Sequence, residues 1–396
     1  MDSRLTKKPS TVILIALISS PSFGATLFTP AMPAIMDDFN ISEGASQFSL
    51  TIFVIGYALG QLIYGPFAIR FGRKPVIYFG LFIAVIGSLL SALSAPFESY
   101  GLLLFGRIVT AFGASVGLVL TYTIINDCYN EQQARRVVPV VSAAFAVIPF
   151  LGVAIGGVLV ERVAWQSCFY FLFFYYLAVL YCTTFLPETA NSLDRSATKI
   201  SVVIAKYQHA LGDSRLLIFS ILYGLTTVMV FIFSASAPIV AVNTLGMSAQ
   251  DYGFLAFLIS FSYLSGNLCS AGLSKKFSAM NMIGAGVLIF GPSLVALFGF
   301  SVMGYLNIYT FFIPFFCSFF GISLAYTNVI VMASSHYEDR VTGSSLMNFI
   351  SMSMAVLGVV LIEVIPGPLV VKLPIELFVI VIGYCLLFLY SKRFIR

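Results

Sequence analysis

Residues 56–75 read Gly56-Tyr57-Ala58-Leu59-Gly60-Gln61-Leu62-Ile63-Tyr64-Gly65-Pro66-Phe67-Ala68-Ile69-Arg70-Phe71-Gly72-Arg73-Lys74-Pro75. The first half is apolar and rich in small residues, and the second half is a tight basic turn. Together with the apolar residues before it, the first half makes a run of about 20 residues, enough to cross a hydrocarbon core as a helix. Gly56 and Gly60 stand four apart, the spacing that lets a second helix approach closely in lipid. The turn at residues 71–74 reverses the chain, and Arg70, Arg73 and Lys74 mark its side as cytoplasmic.

The composition fits such a chain. Of 396 residues, 59% are hydrophobic and 9% charged, where a soluble domain averages about 25% charged. This balance excludes a disordered chain and an ordinary soluble enzyme. The net charge of +5 is scattered between long apolar runs, so no nucleic-acid partner is implied. Cys128, Cys168, Cys182, Cys269, Cys317 and Cys385 show no paired spacing. They indicate neither a disulfide framework nor a metal site and read as small apolar fillers. No glycine loop precedes a lysine in phosphate-binding spacing, no HExxH occurs, and the spans hold no Ser/His/Asp constellation. No cofactor, metal or enzymatic activity is expected.

Twelve spans are predicted, near 11–35, 46–69, 76–96, 100–125, 137–160, 166–186, 216–240, 250–272, 281–303, 307–333, 342–364 and 374–391. Arg4, Lys7 and Lys8 before an apolar run imitate a signal peptide, but the run continues to about Met36 and reads as the first span. Pro21, Pro30 and Pro33 should bend or break it. With both termini inside, all of the 21 lysines and arginines except Arg107, Arg162 and Lys372 fall in cytoplasmic segments, which supports that topology. The longest polar interval, 187–215, divides the spans into an N-terminal bundle (1–186) and a C-terminal bundle (216–396), and 201–211 within it reads as a surface helix. Lys276-Phe277 echoes Arg70-Phe71, and Tyr337-Glu338-Asp339-Arg340 echoes Tyr129-Asn130-Glu131. Paired halves suit a carrier whose two bundles rock about a central site.

The run Gly65-Pro66-Phe67-Ala68-Ile69-Arg70-Phe71-Gly72-Arg73-Lys74 resembles the loop 2–3 motif of the major facilitator superfamily. The residues preceding it, together with Trp165 and Leu186-Pro187-Glu188-Thr189, resemble that superfamily's bicyclomycin-resistance (Bcr/CflA-like) branch of drug–proton antiporters. The resemblance implies the major facilitator fold, an all-α integral membrane protein with twelve transmembrane helices in two pseudo-symmetric six-helix halves. It also implies a conformational gate at Gly65, Arg70, Gly72, Arg73 and Lys74. The family's aspartate directly before Arg70 is replaced by Ile69. The span-five antiporter motif, ending Gly-Pro-x-x-Gly-Gly in the family, reads Gly152-Val153-Ala154-Ile155-Gly156-Gly157. Gly152 and Gly156 are retained and join the expected gate residues as a bendable helix at the bundle interface, close helix packing being the alternative.

Arg107 is the one cation inside a span. Burying it costs about 2.5–3.5 kcal/mol even on insertion scales, so it should meet a partner or a wet cavity. It matches the span-four arginine that the family uses near its substrate and proton sites; pairing with backbone carbonyls is the alternative. The acidic residue that related antiporters carry in span one is Thr26 here. For proton coupling this leaves Glu363, inside an apolar run, and Asp127, at the inner end of span four; Glu376 reads as a marginal group at the start of span twelve. Thr26, Tyr57, Gln61, Tyr122, Tyr223, Asn267 and Asn328, with Thr123, Tyr326 and Asn348, are candidates to line a cavity of aromatics with few charges, suited to amphiphilic ligands.

The expectation is therefore a monomeric secondary transporter of the inner (cytoplasmic) membrane, exchanging drugs or other amphiphiles for protons by alternating access. The rival is a carrier of an anionic small molecule, such as a carboxylate metabolite or siderophore, bound at Arg107. A non-transporting receptor on the same scaffold would need an added soluble domain.

Overall fold

Proline punctuation divides the first predicted span. Helix α1 (Thr11–Thr26) stops short of Pro30, a single 3₁₀ turn spans Thr29–Ala31, and α2 (Met32–Phe39) restarts with Pro33 in its first turn. Proline lacks the N–H for the helical ladder but is tolerated in a first turn. The computed structural model describes residues 9–129, 131–190, 193–195, 198–274, 276–334, 340–362 and 365–394. All regular elements among them are helices.

After α2 come α3 (Glu43–Phe71), α4 (Arg73–Leu93), α5 (Tyr100–Ala114), α6 (Val116–Cys128), α7 (Glu131–Arg162), α8 (Ser167–Thr183) and α9 (Ile200–Leu211). These are followed by α10 (Ser214–Ile239), α11 (Ala249–Leu273), α12 (Ala279–Val302), α13 (Ile308–Ser334), α14 (Arg340–Leu361) and α15 (Leu369–Ser391). Among the described residues nine helical stretches are long and apolar enough to cross a membrane, and the apolar helices Ser167–Thr183 and Ser345–Leu361 are shorter. With the 32-residue α7, they account for the predicted spans. Span one is α1 with α2, span four is α5 with α6, and the expected surface helix is α9. Start signals follow the sequence: Ser99, Asp213, Ser248 and Ser278 each accept a backbone N–H three residues on, as N-cap side chains do.

The chain forms two compact units, one of Met1–Ile41 and Ser49–Ile204, the other of Ser42–Phe48 and Ala205–Arg396. The same pairings recur inside each. In the first, α4 packs on α5 and α8, and α1 on α7; in the second, α12 packs on α13 and α15, and α10 on α14. The matching pairs α4–α5 and α12–α13 use one device. Gly80 and Gly113 abut each other's backbone in the first, and Gly286 and Gly321 in the second, where a Cβ on Gly321 would lie 2.7 Å from the Gly286 carbonyl oxygen. The internal repeat, only faint in the sequence, is thus plain in the packing.

Many large apolar side chains face outward, among them Phe82, Phe105, Phe174, Leu288 and Leu386. A water-soluble protein does not carry so extensive an apolar surface; a lipid-facing one does.

Candidate functional site

Arg107 is fully buried (0% exposed) in the first unit. The break after α1 explains its first partner. The last carbonyls of a helix have no intrahelical donor, and Nη1 of Arg107 caps one of them, the carbonyl of Gly24, at 2.6 Å. Nε donates to the Ser49 carbonyl at 3.4 Å. The guanidinium carbon lies 3.8 Å from the ring centre of Phe28 and 4.3 Å from that of Phe53, with Phe169 at 5.9 Å. Aromatic faces attract a desolvated cation, so the cage offsets part of the cost of burial. Tyr176 donates to the Ser20 carbonyl at 3.0 Å beside it. Nη2 has no hydrogen-bond partner among the described residues, and no carboxylate among them pairs with Arg107.

Around α1, Thr26 donates its hydroxyl to the Ser22 carbonyl at 2.9 Å. A Cβ on Gly152 would meet that hydroxyl oxygen at 2.8 Å, and one on Gly156 would run into the Leu27 carbonyl. Both glycines therefore serve close packing of α7 on α1. Tyr57 and Gln61 are buried on α3, and Gln61 Nε2 finds no partner among the described residues. Tyr122 is half-buried on α6.

The basic turn forms a second cluster in the same unit. Gly72 has φ 96°, a conformation open to glycine, and it launches α4. Glu188 then caps that helix: Oε1 accepts the backbone N–H of Arg73 at 3.0 Å and Oε2 that of Lys74 at 3.0 Å. The N–H groups of Thr189 and Ala190 add to Oε1 at 2.8 and 2.9 Å. Arg73 Nε donates to Asp127 Oδ2 at 3.0 Å, and Thr189 Oγ1 donates to the same oxygen at 3.0 Å. Lys74 Nζ reaches the Thr184 carbonyl at 2.8 Å, Arg70 Nη1 reaches Thr198 Oγ1 at 2.6 Å, and the Asp194 N–H reaches the Ile69 carbonyl at 3.1 Å. The opening of the 187–215 segment is thus fastened along the turn rather than free. Gly65 is different: a Cβ there meets nothing within 4 Å.

In the second unit an uncharged cluster joins four helices. The Tyr223 hydroxyl on α10 lies 2.9 Å from that of Tyr326 on α13 and donates to Asn348 Oδ1 on α14 at 3.5 Å. The ring of Tyr263 on α11 lies 6.1 Å from that of Tyr326. Thr327 donates to Asn267 Oδ1 at 2.6 Å, and Asn328 Nδ2 donates to Ser270 Oγ at 2.7 Å. Its aromatic faces and amide groups can hold an amphiphilic ligand without a countercharge.

Three sequence expectations need correction or restriction. Asp127 stands at the inner end of span four as expected, and there it is the counter-ion of Arg73. Glu376 is not at a span edge, because α15 begins at Leu369 and places it eight residues in, 6% exposed. Glu363 lies outside the described residues. Sequence reading also missed the work of Glu188, although Leu186-Pro187-Glu188-Thr189 was its signal. The cage of Phe28, Phe53 and Phe169 left no signal, since its members are far apart in the chain. A separate cavity of roughly 800 Å³, lined in part by Asp38, Phe39, Glu98 and Tyr170, holds none of the expected residues; Asp38 there accepts from Trp165 Nε1 at 2.9 Å.

With this geometry in place, the comparisons define the class. The Major Facilitator Superfamily model matches residues 14–359, and the chain belongs to that superfamily, a family of carriers rather than enzymes. It is a multi-pass membrane protein. The fold matches a bacterial homolog of the human lysosomal transporter Spinster, with TM-score 0.70, 16% identity, and 97% of this chain and 95% of that chain covered. It also matches a D-xylose–proton symporter, with TM-score 0.68, 15% identity and 96% of each chain covered.

Relatives narrow the branch. An uncharacterized transporter of Rickettsia felis is 32% identical over 69% of this chain. The match spans 66% of that relative's length. A bicyclomycin resistance protein homolog of Haemophilus influenzae is 23% identical over 69% of this chain and 68% of its own. Multidrug resistance protein D of Escherichia coli is 25% identical over 80% of this chain and 78% of its own. The likeness to the Bcr/CflA branch read from residues 56–75 holds in these matches.

Proposed function

We propose that this chain is a secondary transporter that exports drugs or other amphiphilic small molecules in exchange for protons. The observation that carries this reading is the uncharged aromatic–amide cluster of Tyr223, Tyr326 and Asn348. It offers stacking faces and hydrogen bonds without fixed charge, which suits ligands of loose definition. The names of the bicyclomycin and multidrug relatives support the same substrate class. The bias of lysine and arginine supports an inner-membrane topology with both termini cytoplasmic, and the transporter acts as a monomer.

A second reading has its own observation. Arg107 is buried with Nη2 unpartnered and no described carboxylate to pair with it, so an anionic ligand would neutralise it. The test is proton movement in proteoliposomes challenged with lipophilic cations and with small carboxylates, with Arg107→Ala in parallel. A pH signal with the cations supports drug–proton exchange. A signal with carboxylates alone, lost in Arg107→Ala, replaces it with anion transport.

A further inference from the structure

Glu376 is a carboxylic acid set inside a membrane-spanning helix. It stands seven residues after Leu369, the first residue of α15, about 10 Å along the axis at the helical rise. It is 6% exposed. Oε2 has no hydrogen-bond donor among the described residues, and no described cation pairs with it.

The surroundings are apolar. Helix α15 packs on α10 and α12 and against the π turn Val240–Thr244. Along α12 the contacts run antiparallel: Val370 with Ser301, Phe378 stacked on Phe298, Val381 beside Gly291, Phe388 beside Gly284. Glu376 falls between the first two levels. Helix α12 and the π turn carry no titratable side chain, α10 carries Arg215 and Tyr223, and α15 itself carries Lys372, Tyr384, Cys385 and Tyr390 besides Glu376. Lys372 is one turn away, but no ion pair joins it to Glu376. Lys392 and Arg393 follow at the far end of α15.

A carboxylate charge buried without a donor is costly. Ionisation then requires water to reach the site. We propose that Glu376 is the proton-carrying residue of this chain: it holds a proton while enclosed and releases it when the second unit opens around α15. This rests on the proton-exchange reading above and gives that reading the acid it lacks in the first half, where span one has Thr26.

The experiment uses the full chain in lipid vesicles, followed by infrared spectroscopy across pH, with Glu376→Gln and, as a second neutral variant, Glu376→Leu. The wild type should show a protonated-carboxyl band that survives at neutral pH, disappears reversibly in alkali, and is missing from both variants. With the lipophilic-cation panel, proton movement should be lost in both variants while binding of the same cations, measured by equilibrium dialysis, is retained. Variants that keep the band, or keep wild-type proton movement, overturn the proposal. If the wild type moves no protons with any compound, the exchange reading falls separately. The band still decides in that case, because one insensitive to pH over the protein's stable range means a carboxyl that never releases its proton.

Discussion

The first backbone N–H of the helix that begins at Arg73 ends on the carboxylate of Glu188, at 3.0 Å. Three further backbone donors, from Lys74, Thr189 and Ala190, complete the clamp. One acidic residue after the sixth span therefore fixes the turn after the second. Glu188→Ala should lower stability by about 1–2 kcal/mol, the range for losing a helix cap with charged acceptors, read as a lower Tm in detergent. Glu188→Gln, which keeps one acceptor oxygen, should lose less.

The same clamp predicts a pH dependence. Partial desolvation pushes the Glu188 carboxyl up, but the four N–H donors outweigh it and hold it below its usual range. A depressed folded value means that the stabilisation is present above the unfolded carboxylate pKa and is lost as pH falls through the folded one. Amide exchange at Arg73 and Lys74, corrected for its intrinsic pH dependence, should lose protection only in acid. Equal protection in wild type and Glu188→Ala at neutral pH would show that the cap contributes nothing.

Arg73 and Asp127 form an ion pair whose side chains are 13% and 17% exposed. Removing either partner leaves the other charge poorly solvated. A double-mutant cycle with Arg73→Ala and Asp127→Ala should give a coupling of about 1–3 kcal/mol. A coupling near zero would reduce the pair to a surface contact.

Gly156 and Gly65 should respond oppositely to alanine. At Gly156 the new methyl meets the Leu27 backbone, and relief requires α7 to move from α1, at about 1–3 kcal/mol. At Gly65 nothing lies within 4 Å, so Gly65→Ala should be neutral or stabilising by up to about 1 kcal/mol from helix propensity. If Gly65→Ala nevertheless abolishes transport, Gly65 matters in another conformation, as a gate would.

Arg107→Lys should not rescue Arg107→Ala. An ammonium is a compact point charge and cannot cap Gly24 while lying flat on Phe28 and Phe53. Phe28→Leu should cost about 1 kcal/mol or more from the lost cation–π contact and packing. Thermal unfolding of the three variants in one detergent tests both statements.

The architecture was legible because lipid leaves little choice. Long apolar runs, prolines at Pro30 and Pro33, and the basic turn at Arg73-Lys74 each act locally, so they can be read along the chain. Glu376 was misjudged for a similar local reason: the predicted span began at Pro374, whereas α15 runs through that proline, and the Val370 carbonyl it leaves without a helical donor accepts from Ser301 Oγ at 3.0 Å. Asp127 and Glu188 were visible as residues but not as partners, because 54 and 115 residues separate them from Arg73.

By itself the sequence determined an all-helical membrane chain, its span order and the position of its basic turn. These follow from hydropathy, proline and glycine geometry and the distribution of positive charge. Only the tertiary structure decided which carbonyl receives Arg107, which rings enclose it, which carboxylate caps α4 and which acid is left without a donor. Those outcomes depend on side chains brought together across helices, and in a low-dielectric interior each such meeting sets whether a charge is paired, caged or neutralised.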